Sequence, residues 1–238
     1  MVKQSPLDIY LQNRINENAR KLREIVDETL QKEQSCLKLI IQSVHFCKKE
    51  IAICDKLMKC CSLQSLRYYE AKRKAFRDNL TIWNTLGHIQ MASIEMKEFI
   101  RRLTSKDLRE QDKQDIIKSA YVSIYETSKK LVDGTGDLMK FIRSNSISYD
   151  TAQLKFTRKE LTTFRENNKG KLINVRNKIA AHRDSDICNQ IETLESLHLS
   201  DAVSLINEYG SIINKLGVVT SPLQALGLKL LEATKRAE

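Results

Sequence analysis

The chain has 238 residues, a formal net charge of +10 and only two prolines and seven glycines. That length suffices for one large domain or two small ones, and the scarcity of helix breakers favours long uninterrupted helices. No apolar run reaches the ~18 residues of a membrane span, and Met1–Pro6 lacks the apolar core of a secretion signal, so a cytoplasmic protein is expected. In a reducing compartment its six cysteines, Cys36, Cys47, Cys54, Cys60, Cys61 and Cys188, are expected as free thiols.

Leu, Ile, Lys, Glu and Gln dominate, and no stretch alternates in the way a strand requires. The expectation is an all-α protein: a multi-helix bundle of long antiparallel helices. A single domain is expected over 1–238, with long N-terminal helices in 1–147 and a motif-bearing section in 148–238.

Ser5-Pro6-Leu7-Asp8 is a helix start. Ile15, Ala19, Leu22 and Val26 then recur at three- and four-residue steps. A cleaner stripe follows through Leu37, Ile40, Val44, Cys47, Ile51, Cys54, Met58 and Cys61, which predicts a helix over about 33–61 with one narrow buried seam. Whether the two stripes share a helix is left open by the sequence near Ser35. Cys47, Cys54 and Cys61 fall seven apart on that seam, about 10 Å from one to the next, too far for one metal or a disulfide. They read as core positions, and no metal site and no cofactor is expected.

Residues 62–104 read as a helix starting at Ser62 or Ser65. Its segment Arg67–Arg77 interleaves basic and aromatic residues, a composition suited to RNA contact. Tyr69, Phe76, Leu80 and Trp83 also fit core spacing, and His88 reads as packed or half-exposed. Thr104-Ser105-Lys106-Asp107 predicts the next cap, and Asp133-Gly134 the end of that helix. A shorter helix is predicted around Asp137–Arg143, before a loop at Ser144–Ser148. Thr157 opens a capping box, Asn167–Gly170 predicts a break, and a motif helix is expected over about 171–181. Ser200 predicts a cap, Gly217 a stop, and Ser221-Pro222 the start of a last helix.

The charge is uneven. Residues 151–184 hold nine Lys/Arg against three Asp/Glu, whereas 185–238 hold four against seven. A basic excess permits an acidic partner, nucleic acid being the commonest. It ends directly after the run Arg176-Asn177-Lys178-Ile179-Ala180-Ala181-His182-Arg183-Asp184. This run places a titratable imidazole close to phosphate-binding groups. His182 suits general acid or base chemistry near neutral pH, Arg176 suits bidentate contact with a crowded phosphate, and Asn177 can orient either. Lys178 and Arg183, with Lys169 and Lys171 on the same basic stretch, are candidate nucleic-acid-binding residues whose affinity would fall with salt.

Arg176-Asn177 followed by His182 after five residues resembles the motif of HEPN domains, and the run 176–184 is most similar to HEPN-like proteins of bacterial abortive-infection systems. That resemblance implies a helical bundle with a HEPN-like core in the C-terminal part, a homodimer, and metal-independent cleavage of RNA by 2′-OH attack. It implies a toxin or phage-defence role, with a cognate antitoxin as a further partner. On an ideal helix Arg176 and His182 stand ~9 Å apart axially and ~120° apart in direction. Either the helix ends or kinks before His182, or two copies build the site across a two-fold axis. The alternative is a non-catalytic helical scaffold that binds nucleic acid or a protein, with Arg176 held in an ion pair.

Overall fold

A computed structural model of the chain describes residues 6–105, 108–177, 193 and 196–236, with the backbone alone for 6–13, 15, 16 and 233–236. Five long helices account for nearly all of them: α1 Pro6–Leu57, α2 Leu63–Leu103, α3 Glu110–Ser144, α4 Thr151–Val175 and α5 Leu199–Arg236. The described residues contain no strand. Successive helices pack antiparallel, as the pairs Glu33–Lys97, Thr85–Gly134, Val132–Arg158 and Glu160–Lys215 show.

One hydrophobic cluster runs from Ile40 to Leu231 and draws on all five helices. α2 is central. It meets α1 through the Phe46–Phe76 edge contact, whose ring centroids lie 5.8 Å apart, and α5 through Trp83 against Gly227. Several polar groups inside the bundle are paired across helices. Lys97 Nζ donates to Glu33 at 2.7 Å and to Ser93 at 2.6 Å. Ser123 donates to Glu95, and the Thr127 and Tyr209 hydroxyls meet at 2.7 Å.

The two N-terminal stripes lie on one uninterrupted α1. Ile40, Cys47 and Cys54 are buried along it, but the helix ends at Leu57, so Met58 and Cys61 follow it in a turn. Ser62 caps α2, accepting from the Ser65 amide. The expected cap at Thr104–Asp107 does not open α3. Arg109 occupies the cap position without a side-chain bond, while Glu110 and Asp112 place negative charge in the first turn, where the helix dipole favours it. Lys106 and Asp107 lie outside the described residues.

Five expected helix boundaries are absent. Gly134 sits inside α3, where a Cβ would approach Thr85 Oγ1 to 3.3 Å, so the missing side chain serves helix–helix contact. α4 starts at Asp150, which caps the Ala152 amide at 2.8 Å, and Thr157 is a buried interior position bonded to the Gln153 carbonyl. Asn168 and Gly170 stay within α4, Asn168 donating back to the Phe164 carbonyl at 2.9 Å. α5 begins at Leu199 and runs through Gly217 and Pro222. Pro222 has no N–H for the Val218 carbonyl, and the Ser221 hydroxyl donates to that carbonyl at 3.0 Å instead. The next carbonyl, Val219, accepts from Tyr149. The Ser144–Ser148 loop is present, with Ser146 at φ 50°.

Candidate functional site

Arg176 and Asn177 stand at the C-terminal end of α4. Regular helix ends at Val175, and the chain widens into a π-type turn over these two residues. Of the anticipated motif helix over 171–181, residues 171–175 are regular α-helix and 176–177 form the π-type turn, and 178–181 lie outside the described residues. Lys178, His182, Arg183, Asp184 and Cys188 lie outside the described residues.

Arg176 is fixed on three sides. Its Nε donates to Glu126 Oε1 at 3.3 Å, its Nη1 donates to Asn177 Oδ1 at 3.1 Å, and its guanidinium lies 5.7 Å from the Tyr125 ring centroid. Glu126 and Tyr125 belong to α3, so the antiparallel α3–α4 packing aims the arginine. The Arg176 side chain is 34% exposed, which leaves it reachable from solvent. A guanidinium stacked on an aromatic face and tethered at one edge keeps its planar fork oriented.

Lys171 is held in a parallel way one turn earlier. Its Nζ pairs with Asp201 at 2.8 Å and sits 6.0 Å from the Tyr121 centroid. The hydrogen bond that Lys171 donates to Asp201 raises the lysine above its usual value, and the same bond lowers the Asp201 carboxyl. Lys169 pairs with Glu166 at 3.6 Å on the surface. A small hollow of about 170 Å³ beside them is lined by Lys171, Asn174 and Leu197.

Sequence reasoning missed Tyr125, Glu126 and Asp201. Glu126 is fifty positions from Arg176, and only the fold brings the two together. The one available signal was that Tyr121 and Tyr125 lie four apart on one face of α3.

The basic-aromatic stretch Arg67–Arg77 of α2 buries Phe76 alone, while Arg67, Tyr68, Lys74 and Arg77 are exposed. Phe76 and Trp83 are buried, Arg73 pairs with Asp55 at 2.7 Å and Lys72 with Glu50 at 3.9 Å. His88 is half-buried, and burial lowers its value. Cys47 and Cys54 are buried. Desolvation pushes the Cys47 thiol up to about 11 and raises that of Cys54. Among the described residues no helix is long and apolar enough to cross a membrane. Comparison of the chain with protein-family models, curated proteins and solved structures returns no match.

Proposed function

We propose that the chain is a HEPN-like, metal-independent RNA endonuclease of a toxin or phage-defence system, with Arg176, Asn177 and His182 as its reacting constellation. The observation that supports this reading best is the held yet accessible guanidinium of Arg176, oriented by Glu126, Asn177 and Tyr125 at the end of the basic helix. Pre-orientation of a phosphate-binding fork lowers the cost of meeting a crowded phosphate in the transition state. His182 serves as general acid or base in the attack of the ribose 2′-OH, and Asn177 orients the neighbouring groups. Lys169, Lys171, Lys178 and Arg183 hold the RNA backbone. The site is completed across a homodimer, in the cytoplasm, and a cognate antitoxin restrains it.

One observation favours a second reading. Arg176, Lys171 and Lys169 are each paired with a carboxylate, as a helical scaffold for nucleic acid or a protein partner would hold them. The test is cleavage of RNA in EDTA by the wild-type chain and by His182→Ala. Cyclic-phosphate ends from the wild type and a loss of about a hundredfold or more in the variant are expected for the nuclease. Equal behaviour of the two proteins selects the scaffold.

A further inference from the structure

The connection between α1 and α2 stands apart from the core. The hydrophobic cluster and the side chains packed on it run as far as Ile51 on α1 and resume at Phe76 on α2. Between those positions the two helices hold each other through Arg73–Asp55 at 2.7 Å and Lys72–Glu50 at 3.9 Å. From Leu63 to Phe76, α2 measures about 20 Å at ~1.5 Å per residue, so a two-helix prong extends about that far past the core.

The prong is basic and its apex is apolar. Residues 48–77 hold nine Lys/Arg against three Asp/Glu, and two of those carboxylates, Glu50 and Asp55, are taken up by Lys72 and Arg73. Lys49, Lys56, Lys59, Arg67 and Lys74 are exposed. At the apex the chain turns through Met58–Ser62, and Leu63 opens α2. Leu63 is 82% exposed, the most of any large hydrophobic side chain among the described residues. Lys59 precedes it and Arg67 follows it by four positions. Tyr68, next to Arg67, is 43% exposed.

A charged face that meets only water gains nothing from a bare leucine at its apex. An apolar tip among cations, with a tyrosine beside it, suits a membrane surface. There the apolar group enters the acyl boundary, Lys and Arg meet headgroup phosphates, and tyrosine sits at headgroup level. Nucleic acid would engage the same cations and stack on Tyr68, but would leave Leu63 in water. Surface docking of this kind needs no membrane-spanning helix.

We infer that the tip of the α1–α2 hairpin docks the protein on a membrane surface rich in anionic phospholipid, with Leu63 entering the acyl boundary and Lys56, Lys59 and Arg67 meeting the headgroup phosphates. The fold sets the orientation that follows. Thr85 meets Gly134, and Glu126, which holds Arg176, lies on the far side of that level from the hairpin tip. The tip and the Arg176 end are therefore about 45 Å apart along the bundle at ~1.5 Å per residue. Docking through the tip leaves the Arg176 end turned away from the lipid. It uses none of Arg176, Asn177 or His182, so it stands or falls separately from RNA cleavage.

The test is co-sedimentation of the full chain with vesicles of phosphatidylcholine, alone or with about 30% phosphatidylglycerol. A single-stranded DNA oligonucleotide, which lacks the 2′-OH, is the competing polyanion. The variants are Lys56→Glu/Lys59→Glu, Leu63→Ala and Leu63→Trp, all at exposed positions, so the far-ultraviolet spectrum and melting transition should be unchanged. The wild type should bind the anionic vesicles about tenfold or more tighter than the neutral ones, and less tightly as salt rises. Lys56→Glu/Lys59→Glu should weaken that binding about tenfold or more, and Leu63→Ala about fivefold. Emission from Leu63→Trp should shift to the blue on anionic vesicles, over a constant background from Trp83, which is buried. Equal binding to both kinds of vesicle, vesicle binding that ignores the charge variant or Leu63→Ala, or no shift from Leu63→Trp would overturn the inference. So would a wild type that binds the oligonucleotide through Lys56 and Lys59 and binds no vesicle, which assigns the tip to nucleic acid.

Discussion

Arg176 is held by groups that are themselves partly in water. Glu126 is 42% exposed, so the pair between them is screened and its removal costs at most about 1 kcal/mol. Arg176→Ala should accordingly leave the urea midpoint nearly unchanged while removing the phosphate fork, which makes it a clean probe of chemistry. Asp201 gives a pH signature. Its carboxyl is lowered by the hydrogen bond from Lys171, so the native chain binds fewer protons than the unfolded chain between the two values. That stabilisation is present above the ordinary carboxylate value and is lost as pH falls through the lowered one. Asp201→Asn should flatten this part of the acid limb in urea titrations taken across pH. A limb identical to the wild type would show that the pair contributes nothing.

The thiols supply a second check at this scale. Burial pushes Cys47 up to about 11 and raises Cys54, so both stay protonated and enclosed near neutral pH, whereas Cys60 is exposed. Alkylation followed by mass spectrometry should modify Cys60 in the native chain and Cys47 and Cys54 only after unfolding. Their burial was legible in the seven-residue spacing of the α1 seam. The partners of Arg176 were not, because Glu126 and Tyr125 reach it only through the packing of α3 on α4.

At the scale of the helix, the apolar stripes were informative and the punctuation was not. Core positions such as Ile40, Cys47, Phe76, Trp83, Ile213 and Leu216 are buried as their periodicity requires. Gly134, Gly170, Gly217 and Pro222 nevertheless all lie inside helices. A glycine in a sequence carries two meanings, a stop or a close approach, and only tertiary contact separates them. Two substitutions tell these apart. At Gly170 a Cβ meets nothing within 4 Å, so Gly170→Ala should stabilise α4 by up to about 1 kcal/mol through backbone entropy. At Gly227 a Cβ would stand 3.0 Å from the Trp83 ring, so Gly227→Ala should destabilise by about 1–3 kcal/mol through overpacking. Thermal melts of the two variants should move in opposite directions. A shift of the same sign in both would contradict the packing described at Trp83.

At the scale of the molecule, the antiparallel arrangement gathers the basic end of α4, the tyrosine face of α3 and the start of α5 at one end of the bundle. The all-α class and the long helices were readable from composition alone. The extension of the basic α1–α2 hairpin past the core was not, because it depends on where the other helices meet α2. The central proposal is a phosphate-directed site at Arg176, with His182 as its acid or base. Its most direct test is RNA cleavage in EDTA by the wild type, Arg176→Ala and His182→Ala, each confirmed to be folded. Cleavage by the wild type with cyclic-phosphate ends, and a loss of about a hundredfold or more in both variants, is the expected result. No cleavage by the wild type, or cleavage that both variants retain in full, would contradict it.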